Sequence, residues 1–152
     1  MATATEKQVE NKVYTVLAKV LANTYILYIK TQNFHWNVVD PRFRSLHLLF
    51  ESQYNDLANA VDDLAERIRM INQRAPGSMR EFLALTDLKE EYDELDGTEM
   101  LAALLNDHDK VIDTLRNAIT TCQQAHDEGT ADLLIGRIRA HEKIAWMLRS
   151  HL

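Results

Sequence analysis

The sequence predicts an all-α protein in which four long helices and one short helix form a bundle. Only four of the 152 residues are glycine and two are proline, whereas 46% are hydrophobic. A chain so poor in helix breakers favours long helices over strands and turns. Hydrophobic residues also recur at intervals of three and four, which is the period of an amphipathic helix. The length suits a single domain over residues 1–152, with a short flexible N-terminal segment at residues 1–8.

The first two long helices are predicted from their apolar period and from the residues at their ends. The first is expected over residues 6–34. The second is expected to begin with Asp40 as its N-cap and Pro41 as its first helical residue, a strong start signal. The proline-glycine pair at 76–77 should end the second helix within a residue or two of Arg74.

A short helix is predicted in the connection between the second and third long helices. Ser78 is followed three residues later by Glu81, which is the pattern of a capping box, and the helix should run to about Leu85. The acidic segment 86–97 is then expected to cross the bundle to the third long helix.

The third long helix is predicted to start near Thr98, and the fourth runs to the end of the chain. Gly129 is expected to be the C-cap of the third helix and Thr130 the N-cap of the fourth. His108 and His141 fall on the apolar faces of these helices, and we interpret them as core or interface histidines with their hydrogen bonds satisfied. Four long helices with one long connection are typical of a ferritin-like bundle.

Net charge and cysteine content restrict the partners and the compartment that we expect. The formal net charge is −6 at pH 7, so the chain lacks the basic surface that binds nucleic-acid phosphates. No apolar run approaches the roughly eighteen residues of a membrane span, and the polar N-terminus does not resemble a signal peptide. The single cysteine, Cys122, excludes an intrachain disulfide. We therefore expect a cytoplasmic protein, with association with the nucleoid as the alternative location.

Two kinds of potential metal ligand share one edge of the second helix. His47, Glu51, Asp62 and Glu66 lie on this edge, and His35 comes shortly before the helix. The edge is rotated by roughly a third of a turn from the apolar face of the same helix. Imidazole and carboxylate groups together make a nitrogen and oxygen ligand set, which suits a redox-active ion such as iron. This edge is therefore predicted to be a functional surface.

The spacing of these residues predicts a site shared between two chains. His47 and Asp62 are fifteen residues apart, which corresponds to ~22 Å along a helix. No single ion can span that distance. An antiparallel pairing of the helix with a second copy, about a two-fold axis near Asn55, would bring His47 beside Asp62 and Glu66 of the other chain. The hypothesis is an iron site at a dimer interface, present twice by symmetry.

Several segments of the chain match the sequence pattern of a known protein family. They are Phe34-His35-Trp36-Asn37-Val38, Pro41, Phe43, Ser45-Leu46-His47, Phe50-Glu51, Tyr54, Asp62-Asp63-Leu64-Ala65-Glu66-Arg67, Gly129-Thr130-Ala131-Asp132-Leu133-Leu134, His141-Glu142-Lys143 and Ala145-Trp146-Met147-Leu148. These segments resemble the mini-ferritins of the Dps family (DNA-binding proteins from starved cells), and the resemblance covers nearly the whole chain. It implies a hollow homododecamer built from two-fold dimers. Ferroxidase sites would lie at the dimer interfaces, with His35 and His47 of one chain facing Asp62 and Glu66 of the next.

The resemblance also implies an activity and its substrates. The protein would oxidise Fe²⁺, with hydrogen peroxide as the preferred oxidant, and would store ferric oxyhydroxide in the cavity of the shell. Two Fe²⁺ ions would supply the two electrons that peroxide needs, so hydroxyl radical would be avoided. The expected role is iron storage and protection against oxidative damage.

Several other residues have more than one interpretation. Glu51 follows the histidine of its helix by one turn, so it either orients that imidazole or forms a salt bridge at the interface. Trp36 is a packing residue, which by resemblance would also lie beside the iron and absorb stray oxidising equivalents.

Asp127, Glu128 and Asp132 cluster at the turn between the last two helices, where acids compensate a helix dipole. By resemblance this turn lines three-fold pores, so the acids are candidates for an iron entry path.

The sequence agrees less well with two other classes of function. In the family that the chain resembles, DNA binding commonly depends on a mobile lysine-rich tail, whereas here Lys7 and Lys12 are offset by Glu6 and Glu10. A purely structural shell would assemble without oxidising iron, and the intact ligand set argues against it. One position departs from the family pattern, which usually has glycine where this chain has Asp40. Aspartate tolerates a positive φ and can cap a helix, so the loop is expected to keep its shape.

Overall fold

The computed structural model describes residues 1–152 and consists of five helices joined by loops, with no strand. The helices are α1 (Ala4–Asn37), α2 (Phe43–Met70), α3 (Met79–Leu85), α4 (Gly97–Gln124) and α5 (Glu128–Arg149). The predicted architecture is confirmed, because four long helices form the bundle and the short α3 lies in the long connection. None of the five helices combines the length and the apolar character needed to cross a membrane.

One core runs through the bundle. α1 packs along α2 and α4 packs along α5, while α1 also contacts α4 and α3 lies against α1. The largest fully buried side chains come from α1, α2 and α4 and are Leu17, Leu21, Leu27, Phe34, Leu46, Phe50, Leu57, Leu64, Ile68, Leu101, Leu104 and Leu115. Each such side chain contributes roughly 1.5–3 kcal/mol through its removal from water. The apolar face of α2 is therefore turned inward, as its period predicted.

Two groups of polar side chains are also buried in the bundle. His108 and His141 contact each other through their Nδ1 atoms at 2.8 Å, and the Arg137 guanidinium lies 3.3 Å from Nε2 of His141. Arg137 also forms an ion pair with Asp56 of α2 at 2.9 Å. Burial lowers the pKa of His108 to about 3 and lowers that of His141 well below its usual value. The core interpretation of both histidines is confirmed, although Nε2 of His108 has no hydrogen-bond partner.

A buried ion pair fixes the crossing connection to the bundle. Lys30 of α1 lies 2.8 Å from Asp107 of α4, and both side chains are less than a tenth exposed. Lys30 also donates a hydrogen bond to the carbonyl of Lys89 in the connection. Burial raises the pKa of Asp107, although the Lys30 ammonium acts in the opposite direction.

The predicted start of α2 is wrong by two residues. The N-cap is Arg42, not Asp40, and its side chain makes no capping hydrogen bond. The Asp40 carboxylate instead accepts the Arg42 N–H at 2.7 Å and pairs with the Arg42 guanidinium at 3.0 Å. The Asp40 carboxylate thus forms an Asx turn with the backbone of Arg42, so Asp40 does not cap the helix. Arg42 holds the pKa of Asp40 below its usual value. Asp40 does not have a positive φ.

α2 ends at Met70, earlier than the proline-glycine pair predicts. Asn72 has a φ of 65°, in the left-handed region that asparagine tolerates better than most residues. The N–H of Gln73 then bonds back to the carbonyl of Ile68 at 3.1 Å, which closes the helix end. Asparagine, rather than the distant glycine, therefore terminates this helix.

The turn between α4 and α5 also differs from the prediction. Gly129 is not a C-cap and Thr130 is not an N-cap, because both lie in the first turn of α5. His126, with a φ of 57°, takes the left-handed position at the end of α4, and Asp127 caps α5 through the Thr130 N–H at 3.0 Å. A methyl group at Gly129 would lie 2.7 Å from the Arg67 guanidinium. Gly129 thus lies close to the end of the Arg67 side chain, and it does not have a positive φ.

The remaining helix ends agree with the sequence more closely. Ser78 caps α3, although Glu81 accepts from the Ser78 hydroxyl instead of its N–H, so the capping box is half formed. α4 begins at Gly97 behind a full capping box, one residue before the predicted start. α1 begins at Ala4, so helix reaches into the N-terminal segment at residues 1–8.

Candidate metal centre

His35 and His47 are held together by reciprocal hydrogen bonds. His35 lies near the end of α1 and His47 in the second turn of α2, and their rings stack with centroids 3.8 Å apart. Nδ1 of His35 is 2.7 Å from the His47 carbonyl, and Nδ1 of His47 is 2.8 Å from the His35 carbonyl. A carbonyl oxygen only accepts, so each Nδ1 must carry the hydrogen.

This arrangement fixes the chemistry of both imidazoles. With Nδ1 protonated, each neutral ring has its lone pair on Nε2, the atom that remains available to a metal ion. A hydrogen bond from the second ring nitrogen to a carbonyl is also the usual way in which proteins orient a metal-binding histidine. The two rings therefore lie side by side, each with an Nε2 atom that could bind a metal ion.

Two aromatic residues that the sequence analysis did not assign to the site support the pair. Phe43 stacks on His47 with centroids 5.0 Å apart, and Tyr54 meets His35 edge-on at 5.2 Å. Phe43 precedes His47 by one helical turn, so spacing along α2 could have identified it. Tyr54 contacts a residue on a different helix, and no signal in the sequence gives that contact. Trp36, next to His35, is 65% exposed.

Asp62 and Glu66 lie one turn apart on the exposed edge of α2. A hydrogen bond with Asp62 and repulsion from its charge raise the pKa of Glu66. Neither acid forms an ion pair within the chain. The neighbouring Arg67 does not neutralise them, because it pairs with Asp127 at 3.1 Å. A bound cation would stabilise both carboxylates in their charged forms.

One chain does not bring the histidine pair and the acid pair together. No group of three or more histidine, cysteine or acidic side chains in the chain could hold a metal ion. The ~22 Å along α2 between His47 and Asp62 accounts for this. Exposed apolar side chains occur close to the two histidines in the sequence, namely Trp36, Val39, Phe43 and Leu48. Within one chain the histidine pair and the acid pair are thus separate, and their union in one site between two chains stays a prediction.

Glu51 is half-buried and makes no hydrogen bond or ion pair within the chain. Nδ1 of His47 is already bonded to the His35 carbonyl, so Glu51 does not orient that imidazole through this atom. The alternative interpretation, a salt-bridge acid at an interface, stays a prediction.

The three candidate acids of the α4–α5 turn differ in their availability. Asp127 is engaged by Arg67 and by the hydroxyl and N–H of Thr130, and these interactions lower its pKa although its partial burial alone would raise it. Glu128 and Asp132 are exposed and have no ion-pair partner. Only these two carboxylates are free to attract a cation at this turn.

Comparisons with known proteins identify the family of the chain. The family model described as a ferritin-like domain matches residues 14–152. The chain is 36% identical over 141 residues to DNA protection during starvation protein 2 of Bacillus anthracis, covering 93% of this chain and 97% of the relative.

Solved structures give the same result. The crystal structure of a Dps protein from Bacillus brevis matches with a TM-score of 0.93 at 32% identity, over 99% of each chain. The Dps protein from Vibrio cholerae O1, described as a member of a broad superfamily of ferritin-like diiron-carboxylate proteins, matches with a TM-score of 0.90 at 32% identity. That match covers 94% of this chain and 90% of the other. The chain therefore belongs to the Dps family of ferritin-like proteins.

Proposed function

We propose that the protein is a ferroxidase and iron-storage mini-ferritin. The observation that carries this proposal is the reciprocal pairing of His35 and His47, which leaves both Nε2 atoms free to bind a metal. The unpaired carboxylates of Asp62 and Glu66 on the same helix supply the oxygen ligands. A mixed set of this kind suits iron, and the diiron-carboxylate description of the Vibrio cholerae protein supports the same metal.

The complete site is formed between two chains. An antiparallel pairing of α2 with its copy, about an axis near Asn55, sets the histidine pair of one chain opposite Asp62 and Glu66 of the other. The exposed apolar residues close to the histidines in the sequence would be covered by the second chain. Six such dimers build the homododecamer. In this assembly Glu128 and Asp132 attract Fe²⁺ toward the cavity, whereas Asp127 holds the turn in place.

The chemistry follows from the two half-sites. Neutral imidazoles donate nitrogen lone pairs to Fe²⁺, and the two carboxylates compensate the charge that increases on oxidation. Two Fe²⁺ ions, one hydrogen peroxide and two water molecules give two ferric oxyhydroxide units and four protons. Peroxide thus receives both electrons from iron, and ferric oxyhydroxide collects in the cavity. The name of the Bacillus anthracis relative refers to DNA protection, and we attribute protection here to the removal of Fe²⁺ and peroxide.

Replacement of one carboxylate tests the site. Asp62→Ala should slow the peroxide-driven oxidation of Fe²⁺ by more than about 100-fold, because losing only an outer partner of a metal ligand already costs about 10- to 100-fold. The assay is anaerobic loading with Fe²⁺, addition of peroxide, absorbance of the ferric product, and a sizing column for the assembly.

Asp109→Ala is the matched control, because Asp109 is an exposed acid of α4 and the change of charge is the same. This variant should oxidise iron at the rate of the unmodified protein. Rapid oxidation by an assembled Asp62→Ala protein would refute the site assignment.

A further inference from the structure

We propose that Arg42 is a positioning residue for the candidate metal centre, although it is not one of the proposed metal ligands. Its guanidinium ties the loop between α1 and α2 to the start of α4 and to the end of the chain. The same loop joins the two helices that carry His35 and His47. This proposal rests on the proposed ferroxidase function, because it names a residue that sets the geometry of the same site.

The α1–α2 loop decides how the two histidines meet. α1 ends at Asn37 and α2 begins at Phe43, so only residues 38–42 separate the two helices. In each of the two reciprocal bonds, the imidazole of one helix contacts a backbone carbonyl of the other helix. A shift of either helix end would therefore break both bonds and change the spacing of the two rings.

Arg42 closes this loop on itself. The Asp40 carboxylate accepts hydrogen bonds from the Arg42 N–H at 2.7 Å, from its Nε at 3.0 Å and from its Nη2 at 3.2 Å. Nε bonds to one carboxylate oxygen and Nη2 to the other, which is the bidentate contact typical of guanidinium and carboxylate groups. The Asp40 side chain is only 9% exposed, so little water competes for these bonds.

The guanidinium of Arg42 also reaches two further parts of the bundle. Nη1 donates to the carbonyl of His151, beyond the end of α5, at 3.1 Å, and Nη2 donates to the Thr98 hydroxyl in the first turn of α4 at 3.3 Å. The Asp40 carboxylate occupies the space that a side chain at residue 97 would take, and that residue is glycine. We call the contacts of Arg42 with Asp40, Thr98 and His151 the Arg42 clamp.

The Arg42 clamp should affect the binding of the metal more than the chemistry that follows. Loss of Arg42 leaves all four proposed ligands in the chain, so the oxidation step itself needs nothing from this residue. A loose loop, however, must be ordered when the ion binds, and the free energy of ordering reduces the affinity. The expected result is weaker Fe²⁺ binding with a nearly unchanged maximal rate.

The first experiment titrates Co²⁺ into the assembled, iron-free protein and follows the visible absorption of the bound ion. Arg42→Gln should weaken Co²⁺ binding by about 10-fold, the lower end of the effect of residues that orient metal ligands. The absorption band should also change in shape, because it reports the ligand geometry. In the peroxide assay, the Fe²⁺ concentration at half-maximal rate should rise by about 10-fold, while the maximal rate stays within about 2-fold.

The second experiment tests the Arg42 clamp without any metal. Backbone hydrogen exchange of the iron-free protein, measured by mass spectrometry, should be faster over residues 38–47 in Arg42→Gln. Arg42→Lys separates geometry from charge, since an ammonium group keeps the charge but cannot form the bidentate contact. It should therefore resemble Arg42→Gln in both experiments.

Asp40→Asn tests the other side of the Arg42 clamp. It keeps Arg42 but removes the charge of its partner, so it should show the same changes to a smaller extent. Combining it with Arg42→Gln should add little, because the two residues act in one contact. Arg139→Gln is the matched control, since Arg139 is an exposed arginine of α5 and the change of charge is the same. This control should bind Co²⁺ as the unmodified protein does.

Unchanged Co²⁺ affinity in an assembled Arg42→Gln protein would overturn the role of Arg42, and so would unchanged hydrogen exchange over residues 38–47. Should Arg42→Gln fail to assemble, Asp40→Asn decides by the same two measurements. A fully normal Arg42→Lys protein would show that charge, not the bidentate contact, is what matters, and would also overturn the proposal. Absence of both Co²⁺ binding and rapid Fe²⁺ oxidation in the unmodified protein would instead overturn the proposed function itself.

Discussion

At the scale of single residues, the buried histidine pair makes the stability of the bundle depend on pH. His108 and His141 lie near Arg137, and Arg137 in turn pairs with the Asp56 carboxylate. Protonation of either imidazole would therefore place a second positive charge beside the guanidinium. Burial and this charge both keep the pair neutral in the folded chain.

The sign of the effect follows from the lowered pKa of His108. An unfolded histidine binds a proton near its usual pKa of 6.5, whereas folded His108 does so only near pH 3. Stability is therefore full above pH 6.5 and decreases as the pH falls below it, by about 2 kcal/mol per such histidine between pH 7 and pH 5. Urea unfolding, followed by circular dichroism at fixed protein concentration, measures this loss.

Two variants separate the core pair from the exposed histidines. His108→Gln should reduce the loss of stability between pH 7 and pH 5, because one of the two groups no longer titrates. His126→Asn should leave the loss unchanged, since His126 is exposed and asparagine tolerates its positive φ. An undiminished pH dependence in His108→Gln would contradict the assignment.

Sequence reasoning identified the residues of the candidate site but not the contacts that orient them. Helical spacing was sufficient to group His47, Asp62 and Glu66 on one edge, because the period of α2 is regular. The reciprocal bonds between His35 and His47 depend on how the end of α1 meets the start of α2, and no period encodes that approach. Tyr54 was matched only as part of the family pattern, because its contact with His35 crosses from α2 to α1.

At the scale of helices, the sequence predicted that each helix forms, but it did not predict where several of them begin or end. Apolar period over many residues decides whether a helix forms, whereas an end depends on one side chain with several possible partners. Asp40 bonds to Arg42 instead of capping α2. Asp127 caps α5 through the Thr130 N–H, which places Gly129 inside that helix instead of at the end of α4. In both cases a tertiary or local contact replaced the role that the residue type predicts.

The ion pair between Lys30 and Asp107 gives a prediction for the elements it joins. Lys30→Met should destabilise the bundle by about 3–5 kcal/mol, because it leaves the buried Asp107 carboxylate without a partner. It also removes the hydrogen bond to the Lys89 carbonyl, so the crossing connection should become more accessible to proteases. Thermal unfolding and limited proteolysis measure the two effects.

The double variant Lys30→Met/Asp107→Leu provides the comparison. Removing both charges from the interior avoids the unpaired carboxylate, so most of the lost stability should return. If the double variant were as unstable as Lys30→Met, the charge would not be the cause. A connection that resisted proteases in both variants would show that Lys30 does not hold it.

At the scale of the whole molecule, net charge determines which polymers the protein can approach. In the proposed dodecamer, twelve chains at −6 each would carry −72, and such a shell would repel nucleic-acid phosphates instead of displacing their counterions. We therefore predict no mobility shift of duplex DNA at pH 7 and ~0.15 M salt. A clear shift under these conditions would favour the alternative function, compaction of DNA with incidental iron chemistry.

The division of the site into two half-sites also has a genetic consequence. If each complete site takes its histidines from one chain and its acids from the other, His47→Ala and Asp62→Ala chains are each inactive alone. A mixed dimer of the two still contains one intact histidine pair opposite one intact acid pair. Random pairing makes half of the dimers mixed, so about a quarter of the normal number of sites should work after co-expression. Two null alleles would then complement each other within one shell.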